Sequence, residues 1–181
     1  MGVAKVSVQM SALLLSVSLF AVLASSQVQA SSNQHFITKN SKIDLVIVNK
    51  SASRMSIIRD GKTIKSYLIA MGDAPNGHKL TEGDQRTPQG RYFLDYKKSD
   101  SAFYKSIHIS YPNEEDKLRA DALGISPGGM IMIHGENPKS TLPPEEAQKY
   151  NWTNGCIAVT NKEMDELWRM IDPGTPIEIW P

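Results

Sequence analysis

The sequence predicts a mainly β fold, a β-rich α+β domain with a few short helices. Short β-branched runs recur along the chain, as in Ile43 to Val48 and Ser56 to Arg59. Asp60-Gly61 lies between the second run and another at Thr63 to Ile69, which is a hairpin signal. Few stretches carry a helix start.

The elements follow in order. Met71 to Gln89 is rich in Gly, Pro, Asp and Asn and reads as a long loop. Arg91 to Asp95 and Ser106 to Ser110 read as strands, the second alternating Ile107 and Ile109 around His108. Asn113 can cap a short helix whose first turn holds Glu114, Glu115 and Asp116, and Gly124 can end it. Ile131 to Ile133 is a short buried strand delivering His134. Glu145 to Tyr150 adds a helical turn with Pro144 at its first position. Thr160 and Glu163 form a capping box, and Met164, Leu167, Trp168 and Ile171 share one helical face. Asp172-Pro173-Gly174 stops that helix, and Pro176 to Trp180 closes the chain as a strand.

The first thirty residues read as an export signal. Lys5 charges the N-terminus, Ala12 to Ala24 is apolar, and Val28-Gln29-Ala30 has the small residues of a cleavage site. The apolar run is shorter than the ~20 residues of a membrane span, so no stable span is expected after cleavage. The expected organisation is a signal peptide at 1–30, a flexible arm at 31–41 and one domain at 42–181. The expected location is the periplasm or cell envelope. The chain has 20 Lys and Arg against 19 Asp and Glu. Lys5 is the one charged residue of the leader, so the rest is balanced at zero net charge. That balance argues against a nucleic-acid partner.

Cys156 is the one cysteine. An exported chain with an odd cysteine shows a thiol to an oxidising compartment, which points to a chemical role. Gly155 precedes the sulfur, so a backbone N–H at Gly155 or Cys156 can approach an acyl oxygen. A thiol also needs a base. His134, followed by Gly135 at the end of an apolar strand, is the best placed. A neighbouring imidazole can hold the pair as thiolate and imidazolium. His35 falls in the arm and His78 in the loop, both expected exposed, and His108 is expected on the solvent side of its strand. All four histidines precede Cys156, which excludes the papain-like order. One cysteine with scattered histidines has no metal-ligand spacing, and no cofactor is expected.

These residues resemble the L,D-transpeptidase catalytic domain (YkuD) family. His134-Gly135, Thr153-Asn154-Gly155-Cys156 and the block Gly83 to Gly90, ending Thr87-Pro88-Gln89-Gly90, match its signatures in order. Gly155 to Asn161 and Ile109-Ser110-Tyr111-Pro112 are similar to the YafK-like branch. The resemblance implies a β-sandwich-like domain with the cysteine in a cleft under a loop. It further implies that Cys156 attacks the carbonyl before the terminal D-residue of a peptidoglycan stem peptide. His134 would then take the proton, the Gly135 carbonyl would orient the ring, and Gly155 would contribute the oxyanion backbone. The acyl group would pass to an amine. Many members carry His where Asn154 stands and Arg where Ala158 stands. Asn154, Thr153, Trp152 and Arg86 are therefore the expected substrate contacts, with Arg86 gripping a stem carboxylate and Lys79 adding little. Pro138 to Tyr150 is expected as a lid. Besides stem peptides, a wall-attached protein is an expected partner. The rival readings are a cell-wall hydrolase with the same thiol chemistry and a non-catalytic wall-binding module.

Overall fold

The computed structural model describes residues 1–2 and 42–181. Residues 1–2 apart, the expected leader and arm, with His35, lie outside the described residues. Three antiparallel strands open the fold: β1 (Leu45–Asn49), β2 (Arg54–Arg59) and β3 (Lys62–Leu68). Asp60 and Gly61, between β2 and β3, both take positive φ, 50° and 67°. That backbone matches a tight hairpin turn.

The chain continues through β4 (Gly90–Ser101), β5 (Tyr104–Ile109), α1 (Glu114–Leu123), β6 (Met132–His134) and α2 (Pro144–Ala147). It ends with β7 (Ile157–Ala158), α3 (Asn161–Met170) and β8 (Thr175–Trp180). Both expected caps are present: Asn113 and Asp116 form a capping box on α1, and Thr160 and Glu163 form one on α3. Gly124 ends α1 in the left-handed conformation.

The eight strands form one sheet in the order β3-β2-β1-β8-β4-β5-β6-β7. Its ends meet. Ala70, just past β3, exchanges two backbone hydrogen bonds with Ala158 of β7, at 3.0 and 2.8 Å. A sheet that binds its own far edge leaves fewer strand groups open and wraps its core. The core includes Val46, Met55, Ile57, Leu94, Ile107, Ile133, Ile157 and Ile177. Met164 and Leu167 of α3 and Ile171 join it, as the helical spacing predicts. The mainly β reading therefore stands, with short helices laid on a sheet-built core.

The long loop 71–89 is firmly held. Lys50 is buried and donates to the carbonyls of Gly77 and Thr87, at 2.5 and 2.8 Å. The Asp84 carboxylate accepts from the backbone N–H groups of Leu80, Thr81 and Arg86 and from Lys79. His78 corrects the sequence reading. It is not free in solvent, because α1 brings Asp116 within 2.9 Å of its Nε2 while Gln89 N–H donates to its Nδ1. Lys79 is likewise buried, 2.8 Å from Asp84.

Candidate active site

The candidate thiol and imidazole lie at the end of one strand and just before its neighbour. β6 ends on His134, and β7 begins directly after Cys156. The parallel register pairs Ile133 with Ile157 and His134 with Ala158. Alternation along a strand then puts Cys156 and His134 on one face as diagonal neighbours. Both line a cleft of about 580 Å³ with Phe103, Lys139, Trp152, Thr153 and Asn154. The position paired with His134 holds Ala158, fully buried, so no cation stands there.

The tautomer of His134 follows from its partner. Nδ1 lies 2.7 Å from the Gly135 carbonyl oxygen. A carbonyl only accepts, so Nδ1 carries the hydrogen and Nε2 is the basic nitrogen. Phe103 stacks on the ring at 4.6 Å, and Trp152 meets it edge-on at 5.6 Å. Burial in this apolar box lowers the imidazole to about 4, against a weaker opposing effect of the Gly135 bond.

The thiol moves the other way. Burial pushes Cys156 up, partly offset by a backbone bond from Met132 and by the charge of Lys79. Its Sγ–H donates to the Met130 carbonyl at 3.7 Å. Burial thus works against charge on both the thiol and the imidazole. Low dielectric penalises both charged forms.

The turn before Cys156 is held by Thr153. Thr153 is buried, donates through its hydroxyl to the Cys156 carbonyl at 2.7 Å, and accepts from Gly155 N–H at 3.2 Å. Thr153 thus shapes the turn as well as lining the cleft. The Gly155 N–H is already engaged, which leaves the Cys156 N–H as the backbone donor beside the sulfur. Gly155 has φ +116°, and a Cβ on it would come 2.6 Å from the Arg86 carbonyl oxygen. The Gly83–Gly90 block therefore reaches the site through its backbone. The Arg86 guanidinium contacts the His78 carbonyl at 3.5 Å and does not line the cleft.

Trp152 and Asn154 also line the cleft, and His108 does not. His108 instead bonds Asp95 at 2.7 Å and stacks on Tyr96 at 4.5 Å. Phe103 and Lys139 were missed by the sequence reading. Phe103 sits at the turn between β4 and β5, where nothing local marks it as a site residue. Lys139 lies in the stretch expected as a lid, and as its one cleft-lining cation it was findable. That stretch is anchored at its C-terminal end, since buried Gln148 accepts from Ala70 N–H and Asn151 accepts from Met71 N–H, both at 3.0 Å. Among the described residues no cluster of His, Cys, Asp and Glu could hold a metal, and no helix is long and apolar enough to cross a membrane.

A closed β sheet presenting a thiol and a buried neutral imidazole in one open cleft defines a candidate cysteine acyl-transfer site. Residues 43–179 match the L,D-transpeptidase catalytic domain family, YkuD, and the chain belongs to it. It is 29% identical over 127 residues to YafK of Escherichia coli strain K12, covering 65% of this chain and 44% of that protein. It is 28% identical over 138 residues to YqjB of Bacillus subtilis strain 168, covering 74% and 69%. Both are described as candidate L,D-transpeptidases. The crystal structure of the helical cell shape determining protein Pgp2 from Campylobacter jejuni superposes with TM-score 0.59 at 27% identity, covering 76% of this chain and 47% of that one. The matched region thus spans less than half of YafK and of Pgp2.

Proposed function

We propose that the chain is an exported, cysteine-dependent L,D-transpeptidase that remodels peptidoglycan stem peptides through a thioacyl-enzyme. The observation that carries this reading is the placement of His134 at the end of β6 and Cys156 just before the paired β7, both lining one cleft, with the Nδ1 hydrogen of His134 donated to the Gly135 carbonyl. His134 Nε2 accepts the thiol proton as sulfur attacks the carbonyl before the terminal residue. The Cys156 N–H meets the developing oxyanion. The protonated imidazole then gives that proton to the leaving amine. In the second half an amine attacks the thioester, His134 takes its proton, and the thiol is restored.

The apolar box suits this sequence. An imidazole that resists a resting charge stays available as a base across the neutral range. Phe103 and Trp152 also shield the ring from water. Action in the cell envelope follows from the leader read in the sequence, and a part in cell shape is suggested by the likeness to Pgp2.

The test is incubation with defined muropeptides, read by mass. A cross-linked product or exchange of the terminal residue supports transfer. Release of the terminal residue alone assigns the hydrolase reading. Binding without turnover assigns the wall-binding module.

A further inference from the structure

Lys50 is a buried charge that the proposed steps leave unused. It follows β1 directly and is only 4% exposed. Its backbone is fixed: the N–H donates to the Trp180 carbonyl, and the carbonyl accepts from Ser53 N–H, both at 3.1 Å. Its ammonium makes no salt bridge among the described residues. Burial, with the charge of Arg86, lowers it from 10.5 to about 8, and Asp84 opposes that shift. A buried ammonium without a carboxylate on it costs stability, and an apolar side chain of equal length would remove that cost. What this ammonium does is hold two separate stretches of the loop 71–89, through the carbonyls of Gly77 and Thr87.

Two routes run from that ammonium to the turn before Cys156. The first is short. Thr87 follows Arg86, and the Arg86 carbonyl lies directly against Gly155, closer than any Cβ there would allow. The second passes through the Thr87 side chain, which is fully buried and whose hydroxyl accepts from Gly72 N–H at 3.3 Å. Gly72 pairs with Thr153, and a Cβ on Gly72 would run into the Gln85 carbonyl. The neighbours of Gly72 clasp Thr153. Its N–H donates to the Met71 carbonyl at 3.0 Å, and its carbonyl accepts from Asp73 N–H at 3.1 Å. Thr153 in turn bonds the Cys156 carbonyl and the Gly155 N–H. Both routes therefore end on the peptide that carries the Cys156 N–H.

We propose that Lys50 is a positioning residue for acyl transfer: by pinning the loop 71–89 against the turn before Cys156, it aims the Cys156 N–H at the developing oxyanion. The role rests on the thioacyl reading above. An ammonium suits it. Its three N–H donors can bind carbonyls from separate segments at once, and bonds from a charged donor are the stronger kind. Oxyanion stabilisation depends on a donor already in place before charge develops, so small movements of the loop reach the rate. The thiol's bond to the Met130 carbonyl and the His134 bond to Gly135 lie off both routes. Chemistry at sulfur that builds no oxyanion should therefore be indifferent to Lys50.

The test compares two reactions of one sulfur on the full chain. Alkylation by iodoacetamide builds no oxyanion, whereas thioacylation by a stem tetrapeptide does. Both are followed by quenching at intervals and weighing the intact protein. Lys50→Met keeps the side-chain length and removes the donors. At saturating peptide its thioacylation should be slower by about tenfold or more, with the half-saturating peptide concentration unchanged. Its alkylation rate should stay within about twofold of wild type, because no step of that reaction uses the aimed N–H. Should that variant not fold, Lys50→Gln, which keeps a shorter neutral donor, is read in the same way and should show the same split. Loss of folded chain alone would change both reactions together. That result, or unchanged thioacylation, overturns the positioning role. A wild-type thioester without the split sinks the Lys50 role alone, whereas no thioester in the wild-type chain sinks the thioacyl reading itself.

Discussion

Asn161 closes over Gly135. Its Oδ1 accepts the Glu136 N–H at 3.0 Å, and a Cβ on Gly135 would lie 2.4 Å from that oxygen. Glu136 returns the bond by accepting from Asn161 N–H at 2.7 Å. This clamp ties the end of β6 to the first turn of α3, and with it the carbonyl that holds the His134 ring.

Gly135→Ala should therefore act on catalysis through His134. The added carbon also meets the Phe103 carbonyl oxygen and Tyr104 Cβ, both at 2.9 Å, so the backbone must shift. Misplacing a catalytic group by about 1 Å costs ~10²-fold, and kcat should fall by that order while circular dichroism is preserved. An unchanged kcat would show that the carbonyl does not position the ring.

Gly155→Ala should cost stability as well as activity. Its φ of +116° disfavours a side chain, and the new carbon would meet the Arg86 carbonyl oxygen at 2.6 Å. Strain of this kind costs roughly 1–3 kcal/mol before any clash is counted. Urea unfolding should show a lower midpoint. A midpoint equal to wild type would mean that the turn relaxes freely.

The buried imidazole makes stability depend on pH. With His134 lowered from 6.5 to about 4, the unfolded chain binds the proton first as pH falls. No penalty exists above 6.5. Between 6.5 and about 4 the unfolded state holds more protons, so stability is lost, approaching roughly 3 kcal/mol at the acid end. His134→Gln should lose less stability than wild type between pH ~7 and ~4.5. Equal losses would show that this ring is not the group responsible.

Lys139, not Arg86, should read a stem carboxylate. Lys139 lines the cleft, while the Arg86 guanidinium turns to the His78 carbonyl. Lys139→Ala should lower kcat/KM more for a stem tetrapeptide than for its amidated analogue. Arg86→Ala should lower both alike, by disturbing the loop under Gly155. The opposite pattern would return the role to Arg86.

The candidate thiol, the candidate imidazole and both helix caps stood out in the sequence because each is a local signal. Thr160 and Glu163 lie three residues apart, as do Asn113 and Asp116, and His134-Gly135 and Gly155-Cys156 are dipeptides. What was hidden depends on partners far along the chain. β7 is two residues long and exists because β6 and Ala70 pair with it. β4 runs to Ser101, beyond the expected Asp95, because its polar half pairs with β5. His78 is covered by Asp116 and Arg119 of α1. The direction of the thiol's shift was also hidden, since burial is a property of the packed cleft and not of the motif.

The central claim is that Cys156 forms a thioester with His134 as its base. Intact-protein mass after mixing with a stem tetrapeptide and acid quenching tests it most directly. The account predicts an adduct of the tripeptide acyl group mapping to Cys156. It predicts none with Cys156→Ala, and slowing by about 10²-fold or more with His134→Gln. An adduct on another residue, or turnover by Cys156→Ala within about tenfold of wild type, would contradict it.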